Sequence, residues 1–161
     1  MAAPMLFDIS GIDMSSVRAS TEQVEAINPH RGHMRMLDRV VWLNDDITCG
    51  VGVKHVRDDE FWVAGHVPGR PLLPGVLMIE AAAQLCSFLE GTKSYEKEDK
   101  PPFLGFVRCD HVVFRGQVVP GDTLVLLALE ISRRRRRFES KTQAWVEDRL
   151  VFEGTITGMV I

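Results

Sequence analysis

The chain has 161 residues, with 19 Lys and Arg against 22 Asp and Glu for a net charge of −3, and 45% of its residues are hydrophobic. That length and balance suit a single globular domain spanning 1–161 with a sizeable core, and the acidic balance argues against a general nucleic-acid binder. No apolar run reaches membrane-spanning length and Asp8 breaks the N-terminal apolar stretch, so the expectation is a cytoplasmic protein without signal peptide or membrane association.

Residues 1–20 have little periodicity and read as an extension that packs on the surface or is partly mobile. Ser20 and Gln23 have capping-box spacing, so a short helix through Val24 and Ile27 is predicted to end before Pro29. Arg39 to Leu43 and Ile47 to Val56 read as two strands around the turn Asn44-Asp45-Asp46.

Phe61 to Ala64 then leads through Pro68-Gly69-Arg70-Pro71 to Pro74, which suits the first turn of a helix. That helix is apolar almost all round and is predicted to be buried, with Gly91 as its left-handed cap. Charged residues from Lys93 lead to Pro101-Pro102 and suit a crossover facing water. Phe103 to Phe114, Thr123 to about Arg134, Phe138 to Glu147 and Leu150 to Met159 read as strands. One long helix followed by antiparallel-type strands implies an α+β arrangement, a sheet wrapped around a central helix. Cys49, Cys86 and Cys109, odd in number and without a C-x-x-C spacing, fit buried reduced thiols.

The helix carries one polar stripe, Glu80, Gln84 and Ser87, spaced i, i+4, i+7. A buried carboxylate costs several kcal/mol unless it is paired, solvated or protonated, and desolvation alone predicts a raised pKa for Glu80. His66 lies fourteen residues earlier, in a Gly/Pro-rich segment that cannot be helical. A histidine from a loop and a carboxylate from a buried helix are the groups that general acid–base work requires.

The run His66-Val67-Pro68-Gly69, Pro71, Leu73-Pro74-Gly75-Val76-Leu77, Glu80-Ala81 and Gln84 resembles the signature of the FabZ/FabA-type 3-hydroxyacyl-acyl-carrier-protein dehydratases. Pro29-His30-Arg31 and Asp38-Arg39-Val40 resemble that family's early motif, and Phe114-Arg115 with Val118-Val119-Pro120-Gly121-Asp122 its motif after the helix. Two departures bear on acyl chain length more than on chemistry: Val67 stands where the family usually has Phe, and Gly32-His33-Met34 replaces a more aromatic stretch.

The resemblance implies a hotdog fold and removal of water from a (3R)-3-hydroxyacyl thioester to give the trans-2-enoyl thioester in fatty acid biosynthesis. His66 would be the base, Glu80 would handle proton transfer to the departing hydroxyl, and the Gly75 N–H would polarise the thioester carbonyl. Gln84 would orient Glu80, while Val67 and Pro74 would line the substrate path. No metal, nucleotide or flavin is implied. The partners implied are acyl carrier protein and a second copy of the chain, since in this family the His and Glu of one site come from different subunits; trimers of dimers also occur. Glu at position 80, where isomerising relatives carry Asp, favours dehydration only.

Two other readings remain open: an acyl thioesterase on the same fold, and a noncatalytic acyl-thioester binder. His30 and His33 form an H-x-x-H without a third ligand at familiar spacing, which favours a structural or surface pair over a metal site. His55 and His111 read as packing or surface residues. Arg133 to Arg137 read as a strand end in water, with docking of acidic acyl carrier protein as the functional alternative.

Overall fold

The computed structural model describes residues 4–98 and 100–161. Helix α1, Thr21–Ile27, opens on the expected capping box: Ser20 Oγ accepts from Gln23 N–H at 3.4 Å and Gln23 Oε1 accepts from Ser20 N–H at 2.8 Å. It ends where Asn28 turns extended ahead of Pro29. Strands β1, Arg39–Leu43, and β2, Cys49–His55, form the expected hairpin. The turn is longer than predicted, because Asn44 Oδ1 accepts from the N–H groups of Thr48 and Cys49 and Ile47 sits at φ 53°.

Helix α2, Gly75–Glu98, is the centre of the molecule and at 24 residues spans about 36 Å. It begins one residue after Pro74, whose carbonyl accepts from Leu77 N–H. It also runs on past Gly91, against the expectation of a cap there. A Cβ on Gly91 would lie 2.4 Å from Ile27 Cγ2, so this glycine lets α1 and α2 touch rather than ending α2. The crossover expected from Lys93 is therefore helical up to Glu98, while Asp99 lies outside the described residues.

Strands β3 (Leu104–Phe114), β4 (Thr123–Arg134), β5 (Arg137–Val146) and β6 (Arg149–Val160) follow close to the predicted bounds. All six strands form one antiparallel sheet in the order β1-β2-β4-β5-β6-β3. The chain passes from β2 to the far edge through α2, so the helix crosses the whole inner face. Strand β2 admits it by alternating glycine inward with valine outward. Gly50 and Gly52 face α2, where an added Cβ would meet Leu89 at 2.7 Å and Leu85 at 3.3 Å. Ala81, Leu85, Cys86, Phe88 and Leu89 fill the space between helix and sheet, together with Leu124, Leu126, Phe138, Phe152 and Ile156.

The N-terminal extension is packed along its described length. Phe7, Ile9, Ile12 and Met14 cover the outward side chains Val41, Val51 and Val53. The strap is fastened by Gln143, which bonds Leu6 N–H and the Pro4 carbonyl, and by a bridge between Ala19 and Val40. Cys86 is fully buried, and burial pushes its thiol up to about 12; Cys49 and Cys109 are only partly covered, and all three are free thiols. Among the described residues no helix is long and apolar enough to cross a membrane.

The segment between β2 and α2 is held by a buried ion pair. Lys54 Nζ donates to both oxygens of Glu60 at 3.0 Å, with side chains only 3% and 7% exposed. Burial raises the Glu60 carboxyl, but hydrogen bonds from Arg57 N–H, Lys54 and the Trp62 indole together hold it below the usual carboxylate range. The stability this contributes is present above that range and is lost as acid protonates Glu60. Lys54→Met strands one buried charge and is expected to cost about 3–5 kcal/mol. Urea unfolding at neutral pH measures that loss, and the gap from wild type narrows toward pH 4.

Candidate active site

The residues singled out in the sequence fall into two groups, and they lie apart. The first is the arm carrying His66. Val67 to Arg70 closes a tight turn, with Arg70 N–H donating to the Val67 carbonyl at 2.9 Å and Gly69 at φ 77°. Leu72 N–H donates back to the His66 carbonyl at 2.8 Å, and Leu73 N–H to the Val118 carbonyl at 2.8 Å, which pins the arm to the loop after β3. His66 Nδ1 lies 2.8 Å from the Leu72 carbonyl oxygen. A carbonyl can only accept, so Nδ1 carries the hydrogen and Nε2 keeps its lone pair. The exposed imidazole is thus set up as a base through Nε2. Val67, 47% exposed, and Pro74 flank the same arm. Gly75 opens α2, so its N–H has no acceptor within the helix, and it faces the ring of Phe114.

The second group is built around Glu80. Gln84, 2% exposed, donates from Nε2 to Glu80 Oε1 at 2.7 Å and to the Met34 carbonyl at 2.6 Å, and its Oε1 accepts from Met36 N–H at 2.9 Å. Its backbone carbonyl accepts from Asn28 Nδ2 at 2.8 Å. This satisfied side chain ties the loop after α1 to the middle of α2. His30 supplies a contact that sequence reasoning missed: its Nε2 lies 3.2 Å from Glu80 Oε1. Both residues line a cavity of about 70 Å³ with Gln84, whose apolar walls include Leu104, Phe106, Phe138 and Ile156.

The electrostatics reverse one expectation. Glu80 is held below the usual carboxylate range, chiefly by the His30 hydrogen bond; burial pushes the other way, and Gln84 and the His30 charge pull further down. Half-burial alone predicted a rise, but the partners outweigh it. His30 was read as a surface or structural residue because nothing in H-x-x-H spacing points to a helix fifty residues away. The one available signal was its place in Pro29-His30-Arg31.

His66 is not among the residues lining the Glu80 cavity. Gly75 and Glu80, five residues apart on α2, lie about 140° apart around the helix. Among the described residues no contact joins His66 to Glu80: His66 meets the Leu72 carbonyl, and Glu80 meets His30 and Gln84. Of the arginine run, Arg133 turns back to Glu90 Oε1 at 2.7 Å in a network with Lys93 and Glu130, while Arg134 to Arg137 form the exposed β4–β5 turn.

Residues 28–155 match the model of the FabA-like domain. A 3-hydroxyacyl-[acyl-carrier-protein] dehydratase FabZ from Streptococcus pyogenes is 38% identical over 135 residues, covering 84% of this chain and 94% of the relative. The chain belongs to the FabZ/FabA-type dehydratase family. As a member of it, the protein is a hydro-lyase with the hotdog fold. The fold is also that of the dehydratase heterocomplex ApeI:P from Xenorhabdus doucetiae, at TM-score 0.74 and 16% identity over 86% of this chain and 90% of the other. Cj0977, a sigma28-regulated virulence protein from Campylobacter jejuni, matches at TM-score 0.65 and 16% identity, covering 93% of this chain and 96% of its own.

In this FabZ/FabA-type chain Gln84 carries structure as well as the site. Gln84→Leu leaves the buried Met36 N–H without a partner, at about 1–3 kcal/mol. The urea midpoint is expected to fall accordingly with the slope unchanged.

Proposed function

We propose that the protein is a (3R)-3-hydroxyacyl-acyl-carrier-protein dehydratase that works as a homodimer, with each site shared between subunits. The observation that carries this reading is the layout along β3. That strand is one edge of the sheet, and it exposes Phe106, Val107, Val113 and Phe114. A long apolar edge calls for a partner. Leu104 and Phe106, at one end of β3, wall the Glu80 cavity, while Phe114, at the other end, rests on Gly75 beside the His66 arm. Pairing two β3 edges antiparallel about a two-fold axis sets one end of each strand beside the other end of its mate. The Glu80 cavity of one subunit then faces the partner subunit's His66.

In such a site His66 Nε2 takes the α proton of the substrate. The electrons of that C–H bond form the new double bond, the C3–O bond breaks, and the departing hydroxyl takes up a proton to leave as water. Glu80, held ionised, orients the hydroxyl through Oε2, and the proton that His66 has taken passes on to the departing hydroxyl. The Gly75 N–H, free at the start of α2, supports the enolate-like thioester oxygen. Acyl carrier protein delivers the substrate, as the name of the Streptococcus pyogenes relative states for that enzyme.

The test is hydration of a short trans-2-enoyl thioester on acyl carrier protein, followed by loss of its ultraviolet absorbance. His66→Ala and Glu80→Gln are each expected to lose about 10²–10⁴-fold in rate while staying folded. Mixing the two inactive variants through unfolding and refolding rebuilds intact sites in mixed dimers, and about a quarter of wild-type activity should return if each site is shared. Failure of the mixture to recover would place both residues in one subunit. Thiol release without hydration would identify a thioesterase instead.

A further inference from the structure

We infer that His30 is a positioning residue for the reaction: together with Gln84 it holds Glu80 Oε1, so that Oε2 is the oxygen presented to the cavity. The two donors lie 3.2 and 2.7 Å from that same oxygen. A carboxyl group held at one oxygen by two donors from different elements cannot swing about its terminal bond, and its free oxygen has a fixed aim.

The loop that delivers His30 is itself braced. Arg31 donates to the carbonyls of Glu25, Asn28 and His30, and Asn28 Nδ2 donates to the Gln84 carbonyl. The far side of the His30 ring departs from structural use. His55 engages both ring nitrogens, one with Arg39 and one with Thr123. His30 Nδ1 is buried without a hydrogen-bond partner among the described residues. The groups facing Glu80 are few. The loop after α1 supplies His30, α2 supplies Gln84 and Ser87, and β3, β5 and β6 supply Leu104, Phe106, Phe138 and Ile156. His30 is the titratable group among them, and its hydrogen bond is the largest influence keeping the carboxyl ionised.

The kinetic consequence rests on the dehydratase reading, whereas the direct readout does not. Carboxyl-carbon NMR of the dimer, with Glu80 assigned through Glu80→Gln, follows the Glu80 titration. In His30→Leu the midpoint is expected to rise by about one unit or more, a tenfold change in proton affinity. His30→Gln, which restores a donor of similar reach, should bring it most of the way back. The acidic limb of kcat/KM should move in parallel, and kcat should fall while KM holds in His30→Leu. An unchanged Glu80 midpoint in folded His30→Leu overturns the inference. If that variant does not fold, wild-type ring-nitrogen signals of His30 decide: they must move as Glu80 takes its proton, and indifference overturns it. A shifted midpoint beside normal hydration by Glu80→Gln would instead retain the His30 role and sink the dehydratase assignment of Glu80.

Discussion

An amide side chain in the middle of an apolar helix has to find partners inside the protein, and the way Gln84 finds them shapes the site. Its carboxamide spends both ends on the 34–36 backbone and on Glu80, and its backbone carbonyl takes Asn28. The segment between α1 and β1 has no regular secondary structure beyond the short Gly32–Met34 turn, so these bonds decide where it lies. Once it is placed, His30 stands over Glu80. Packing brings α2 against the sheet, through the inward glycines of β2, but the polar peg at position 84 converts that packing into a positioned carboxylate.

The strands and the central helix were legible in the sequence because their information is local. Ser20 and Gln23 reach each other within one turn, Asn44 caps its own hairpin, and the first four turns of α2 are apolar apart from the stripe of Glu80, Gln84 and Ser87. What could not be read depends on partners distant along the chain. Gly91 has the chemistry of a helix terminator, and only the presence of Ile27 across the α1–α2 contact makes it a packing residue. The charge state of Glu80 was misjudged for the same reason: burial can be inferred from a helix pattern, whereas a histidine fifty residues upstream cannot. The N-terminal extension has weak periodicity because it follows the sheet as an irregular strap, and its apolar residues answer to Val41, Val51 and Val53 rather than to one another.

In the proposed site, the His66 arm and the Glu80 cavity would illustrate two ways of preparing a side chain for catalysis. His66 is prepared by a backbone carbonyl, which fixes the tautomer and leaves the imidazole exposed. Glu80 meets the side chains of His30 and Gln84 in a half-enclosed space, and these hold its carboxyl below the usual range. Each arrangement is complete within one chain, and in the proposed site neither does chemistry without the other.

The ring of Phe114 lies against the backbone of Gly75, at the point where the free edge strand meets the first amide of α2. One face of that ring therefore answers to the helix start and the rest of the residue, half-exposed on β3, to whatever covers the edge. In the proposed dimer, assembly and oxyanion support share a single aromatic hinge. A change at Phe114 would therefore reach both the pairing edge and the first amide of α2, so the residue that joins two subunits is also the one that borders the site.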